Sequence, residues 1–227
     1  MKVINAGYSI IDPDLDDPEQ KEAKRIYKKL ERIGRICYQS DVLGTDESAE
    51  NFIRRLINRV HEAMLEHAFM TVIFTVDRGV SHEIVRHRLA SFAQESTRYC
   101  NYSQGKFGNE ITVIRPFYLN GKEFSYDAWV YAMEEAENQY FNMLNDGCTP
   151  QEARAVLPNS LKTEIAVTAN MREWRHILKL RAAGTTGKPH PQMLEVMVPL
   201  LNELREKMPV LFDDIIPMVS MEDIDKE

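Results

Sequence analysis

Cysteine is scarce and unpaired in this 227-residue chain: Cys37, Cys100 and Cys148 are odd in number, far apart and never in a CxxC. No disulfide framework follows, and a reducing compartment is expected. No apolar run reaches the length of a membrane span. The opening residues, Met1 to Ala6, lack the apolar segment of a secretory signal. A cytoplasmic protein with no membrane partner is therefore expected. Glycine-rich phosphate loops are missing too: there is no GxxxxGK[ST] and no GxGxxG after a strand, only Gly105-x-x-Gly108. A bound nucleotide would have to rest its phosphates on arginines and helix N-termini. No GxSxG elbow surrounds Ser91 or Ser96. Positive charge is in deficit, 28 Lys and Arg against 35 Asp and Glu for a net −7, which argues against a general nucleic-acid coat. Repeats, low-complexity segments and Gly/Ser linkers are absent, so one domain is expected over 1–217, followed by a loose acidic tail over 218–227.

What is present reads as interleaved strands and helices. Val3 to Ile11 predicts a first strand. Pro18 to Tyr38 predicts a helix whose face of Glu22, Lys24, Arg25, Lys28, Lys29, Glu31 and Arg32 is solvated. Ser48 is placed as the cap of a second helix running towards His61 and His67. Phe69 to Val76 predicts a buried strand. Gly79-Val80-Ser81 opens a short helix capped by Ser81. Arg98 to Tyr102 and Ile111 to Arg115 predict strands, and Tyr126 to Asn145 a long helix. Thr149-Pro150-Gln151-Glu152 carries a capping box with proline at the first helical position. Leu161 to Ala169 predicts a strand, Asn170 to Arg181 a helix, and Pro191 to Lys207 a helix kinked at Pro199. The interleaving is too irregular for a doubly wound sheet. The expected class is α+β, a mainly antiparallel sheet flanked by helices.

One stretch stands out, Arg86-His87-Arg88-Leu89-Ala90-Ser91-Phe92-Ala93-Gln94-Glu95-Ser96-Thr97-Arg98, with three arginines and a set of hydroxyls inside an acidic chain. Arginine offers a permanent planar fork that matches phosphate or carboxylate oxygens two at a time. The bland alternative is a salt-bridged surface, since exposed pairs are common and weak. His82-Glu83 with His87 looks like HExxH at first glance. The second histidine is one residue too far along, so on one helix the imidazoles would diverge by roughly 140°. No metal is expected. Cys100, on a predicted strand, is expected to be a small buried hydrophobe. Two further clusters share the arginine theme. Gln151 to Pro158 holds Arg154. Asn170 to Arg181 places Arg172, Arg175, His176 and Lys179 on one side and Trp174, Ile177, Leu178 and Arg181 on the other. An arginine on an apolar face requires a partner.

With these three clusters together, the chain resembles the flavin-dependent thymidylate synthases. Arg86-His87-Arg88, seven residues, then Ser96 reproduce that family's RHRx7S signature. Thr97-Arg98-Tyr99, His61 with Glu66-His67, Gln151 to Pro158 and Asn170 to Arg181 extend the likeness over most of the chain. The resemblance implies a homotetramer with shared active sites. It also implies synthesis of dTMP from dUMP, with methylenetetrahydrofolate as carbon donor, NADPH as reductant and FAD supplying the hydride, without a cysteine nucleophile. By that likeness Glu83, Arg86, Gln94, Ser96, Arg98, Arg154 and Arg181 would contact dUMP, with Arg181 and Ser96 the catalytic pair. His61, Arg86, His87, Arg88, Gln94, Asn170, Arg172 and His176 would contact FAD. Where the family commonly has Asn-Glu, this chain has Ala93-Gln94, followed by Glu95; an amide can hydrogen-bond a ligand but carries no charge. The alternative from another class is a module that holds RNA or DNA phosphates on its basic helices. It would lose affinity steeply with salt.

Overall fold

The computed structural model describes residues 1–41 and 43–224. In chain order the elements are β1 (Lys2–Ile4), β2 (Gly7–Asp12), α1 (Lys21–Ile36), α2 (Asp46–Asn58), β3 (Phe69–Asp77), α3 (Arg78–Ile84), β4 (Ala90–Gln94), β5 (Thr112–Ile114), α4 (Glu123–Asn145), α5 (Pro150–Ala153), β6 (Lys162–Asn170), α6 (Met171–Arg181), α7 (Pro191–Lys207), α8 (Pro209–Phe212) and α9 (Met221–Ile224). Short 3-10 turns add Glu62–His67, Gly105–Phe107, Phe117–Leu119 and Arg154–Val156. The central sheet is antiparallel throughout, in the order β2-β3-β6-β4. It forms because β3 and β6 alternate. Met70, Val72, Phe74 and Val76 of one and Ile165, Val167 and Ala169 of the other point to the same side and are buried. Buried apolar side chains of this size contribute about 1.5–3 kcal/mol each. Helices α1, α6 and α7 close over that face, and the Trp174 indole donates to the Met70 carbonyl at 2.8 Å, tying α6 to β3.

A second, smaller cluster gathers Tyr102, Ile111, Val113, Met133, Tyr140, Ala153 and Leu161 around the parallel pair β1–β5 and helix α4. The predicted first strand is thus two strands in two different sheets, broken at Asn5-Ala6.

Several local expectations are corrected. Asp77, not Ser81, caps α3, accepting from the Val80 amide at 2.7 Å; Ser81 is buried and donates its hydroxyl to the Arg78 carbonyl at 2.9 Å. Thr45, not Ser48, caps α2, accepting from the Ser48 amide at 3.1 Å. Helix α3 ends at Ile84, and the arginine stretch that follows lies on a turn and then on β4. Arg98 to Tyr102 is a turn rather than a strand, with the Tyr99 and Cys100 amides folded back onto the Ser96 carbonyl. Cys100 is half-buried there, packed against the smaller cluster. Glu31 is not on a solvated face: it is fully buried and paired with Arg35 at 2.7 Å.

Arg175 is corrected likewise. It is fully buried, held by both oxygens of Asp214 at 2.7 Å, by Glu62 at 3.2 Å and by the Leu211 carbonyl. Those partners satisfy the guanidinium, which is what lets it leave the polar side of α6. Downstream, the Met218 amide donates to the Ala182 carbonyl at 3.0 Å.

Candidate active site

The site starts from the end of α3. Capped by Asp77, this helix stops at Ile84, and the chain turns so that His87 is buried while Arg86, Arg88 and Leu89 are exposed. Helix α6, capped by the Asn170 side chain accepting from the Glu173 amide at 2.9 Å, runs back past this turn. Its last residue, Arg181, meets the turn. The Arg181 Nε donates to His87 Nε2 at 3.1 Å, and its Nη1 donates to Glu83 Oε2 at 2.7 Å. Arg181 is half-buried, so the partner expected for it is supplied from within the chain. Burial first, then the neighbouring Arg181 cation and His176, push His87 down to about 4, so its imidazole is neutral near pH 7.

The sides of this turn differ. Towards α6 lies a cavity of about 640 Å³ whose lining includes Leu89, Asn170, Arg172, Glu173, His176 and Lys179. Arg172 is paired with Glu66 at 2.5 Å and Lys179 with Glu62 at 3.6 Å. Towards α7 lies a smaller cavity of about 240 Å³ that shares Glu83 and includes Asp77, Tyr118, His190 and Gln192. Burial raises the Asp77 carboxyl. His190 caps α7 through Nδ1, which accepts the Gln192 amide at 3.2 Å.

Farther along, β4 ends at Gln94, whose amide donates to Ser81 Oγ at 2.9 Å and Thr163 Oγ1 at 3.2 Å. Because the Ser81 proton already goes to the Arg78 carbonyl, Ser81 must accept here, which lets an amide donate to it where a carboxylate could not. Gln94 therefore bolts α3 to β6, its donors turned inward. The turn that follows carries Ser96, whose hydroxyl accepts the Arg98 amide at 3.3 Å. Arg154, directly after the buried Ala153, reaches Thr97 Oγ1 at 3.3 Å. Ser96, Arg98 and Arg154 thus form a second, exposed corner. Arg98 lies over the Tyr99 ring, 5.5 Å from its centroid. His61 joins neither corner and opens onto an apolar hollow of about 250 Å³ beside Cys37 and Tyr38.

Among the described residues, His87, Glu173 and His176 bring ligand atoms within 4.8 Å of one another. Counting along one helix could not foresee this, because His87 lies beyond α3 and meets α6 only in the fold. With Nε2 of neutral His87 accepting from Arg181, the proton sits on Nδ1, the nitrogen that faces Glu173 at 3.9 Å. For Nδ1 to bind a metal the proton would have to move to Nε2, which would break the bond from Arg181. Glu173 itself was missed in sequence; the available signal was its place one turn before Ile177 and two before Arg181 on α6.

Residues 22–210 match the family model described as Thymidylate synthase complementing protein. A flavin-dependent thymidylate synthase of Corynebacterium aurimucosum is 36% identical over 197 residues, 82% of this chain and 78% of that protein. One from Geobacter sulfurreducens is 31% identical over 192 residues, covering 81% and 79%. The fold is similar to the crystal structure of PolB, a UMP/dUMP methylase from Streptomyces cacaoi bound with 5-Br dUMP. The TM-score is 0.76 at 19% identity, over 94% of this chain and 96% of that one. With Arg181 of α6 meeting the arginine turn and Arg154 reaching Thr97 just beyond it, the chain belongs to the thymidylate synthase complementing protein family, that of the flavin-dependent thymidylate synthases.

Proposed function

We propose that the chain converts dUMP to dTMP in a flavin-dependent reaction, with methylenetetrahydrofolate as carbon donor and NADPH as reductant. The observation that carries this reading is the contact of Arg181 with Glu83 and His87, which sets a permanent cation beside the turn of the RHRx7S signature. A cation there would meet the pyrimidine carbonyls and stabilise the negative charge that activates C5, and such preorganised donors are worth about 10²–10³-fold in rate. Ser96, Arg98 and Arg154 would hold the phosphate and sugar, Ser96 as a hydroxyl donor rather than a nucleophile. Glu83, which holds Arg181, would add a polar contact to dUMP, and Arg86 would add charge at the mouth.

FAD fits the larger cavity by its donor set. Arg172, His176, Lys179 and the free amide N–H groups of Asn170 suit a pyrophosphate and flavin carbonyls, with exposed Arg88 at the rim. Bound flavin would supply the hydride, so that no cysteine need attack the uracil. His61 would contribute from the neighbouring hollow, and Gln94 through its carbonyl. Active sites shared within a homotetramer accord with two corners so open in one chain. The reading places the enzyme in the cytoplasm, where its nucleotide and folate substrates are; no described helix is long and apolar enough to cross a membrane. The nucleic-acid alternative finds less support. Glu66 and Glu62 interrupt the basic side of α6, and Arg175 is buried, which leaves no continuous stripe for a phosphate backbone.

Incubation with dUMP, methylenetetrahydrofolate and NADPH should yield dTMP, from a protein that purifies yellow and releases flavin on denaturation. A colourless protein that makes no dTMP when supplied with FAD would remove this reading.

A further inference from the structure

Glu173 is a buried carboxylate for which the reading above has no use. Its side chain is 7% exposed, at the wall between the larger cavity and His87. It differs from the other buried acid on a helix, Glu31, which is neutralised by Arg35. Glu173 lies in the first turn of α6, where the helix dipole favours a negative charge, while burial disfavours it. The groups around it are His87 and Leu89 from the arginine turn, Arg172, His176 and Lys179 from α6, and Glu62 and Glu66 from the 3-10 turn. Arg172 and Lys179 are engaged by Glu66 and Glu62. His176 is exposed, its ring edge-on to His87 at 6.1 Å.

We propose that Glu173 is a positioning residue: it holds His87 as the Nδ1–H tautomer and, through His87, sets the aim of Arg181. This rests on Arg181 facing the pyrimidine of dUMP. A neutral imidazole has one donor and one acceptor, and the hydrogen bond made by one nitrogen decides the state of the other. Arg181 Nε cannot accept, so its bond to Nε2 exists only while the proton is on Nδ1. The carboxylate beside Nδ1, at 3.9 Å, is the group that favours a proton there. A small side-chain rotation on filling the cavity closes that gap to a direct hydrogen bond. Without Glu173, the proton is free to move to Nε2, where it confronts the Arg181 N–H and turns the guanidinium away. Glu83 then holds Arg181 by Nη1 alone.

The test uses flavin-loaded protein with 15N-labelled histidine. In the unsubstituted enzyme His87 should read as Nδ1–H at pH 7.5, and Glu173→Ala should move it towards Nε2–H. The same variant should bind dUMP about tenfold more weakly or worse, about 1.4 kcal/mol, with flavin content and thermal midpoint unchanged. Glu173→Gln, whose carbonyl can still accept from Nδ1–H, should restore the tautomer and most of the affinity. Adding Glu173→Ala to His87→Ala should cost no more than about twofold beyond His87→Ala alone, because the two act in series. His87 as Nε2–H in the unsubstituted enzyme overturns the proposal, as do additive losses. Lost flavin with intact dUMP binding also overturns it, and makes Glu173 a flavin contact. Absence of dTMP formation by the unsubstituted enzyme would sink the reading of the reaction, whereas the tautomer and its response to Glu173 are read without turnover.

Discussion

The two arginine corners stand on different floors. Arg181, His87 and Glu83 rest on the main core, at the end of a helix tied to the central sheet, and they contact one another. Ser96, Arg98 and Arg154 rest on the smaller cluster, on turns, with their arginines exposed. The first corner has its donors aimed before any ligand arrives, as suits charge that develops only during reaction. The second gathers charge around an anion that is present from the start, where reach matters more than rigidity. The lesson is that one residue type serves two tasks, distinguished by what lies beneath it.

Arg175 offers the sharpest contrast, because it is the buried arginine with partners but no cavity. Arg175→Ala should leave Asp214 and Glu62 without their cation and cost about 3–5 kcal/mol of stability, measured by urea unfolding. Arg181→Ala should instead fold normally and keep its flavin absorbance, while dTMP formation falls about 10²–10³-fold. Normal turnover by that variant would erase the distinction between the corners. Arg154→Ala should act through KM, lowering kcat/KM for dUMP about 10–100-fold, the range of a lost charged hydrogen bond. With deoxyuridine, which has no phosphate, the same substitution should make almost no difference. A loss shared by both substrates would move Arg154 away from the phosphate.

Acid provides a gentler probe of the first corner. His87 in the folded chain is pushed down to about 4 from 6.5, so the unfolded chain takes up its proton first. Its contribution to stability is complete above about pH 6.5 and is lost as the pH falls towards 4. His87→Gln should flatten that part of a plot of thermal midpoint against pH. Cys100→Ala should change least, with activity within about twofold of the unsubstituted enzyme. An inactive, well-folded variant would return a thiol to the mechanism.

Much of the architecture was legible as pattern. Alternation marked β3 and β6 to within a residue or so, the capping box at Thr149 was found where it stands, α7 has the bounds expected for it, and α6 starts one residue later than expected, with Asn170 as its cap. Caps were harder, because Asp77 and Ser81 are both good caps in sequence, and the backbone path chooses between them. Burial of charge was hardest. Glu31 and Arg175 look solvated by helical spacing, and each is buried because its partner comes from another element: Ser48 on α2 beside Arg35 for Glu31, Asp214 and Glu62 for Arg175.

The sequence by itself determined which segments alternate or repeat at helical period, the family through Arg86-His87-Arg88 and Ser96, and the residue types available to an anionic ligand. Those are local properties, carried by spacing along the chain. Only the tertiary structure decided that His87 meets Arg181 across 94 positions, that Gln94 turns inward to Ser81 and Thr163, and that Glu173 faces His87. Proton position, partner and burial depend on which groups the fold brings within a few ångströms, and spacing along the chain does not encode that distance.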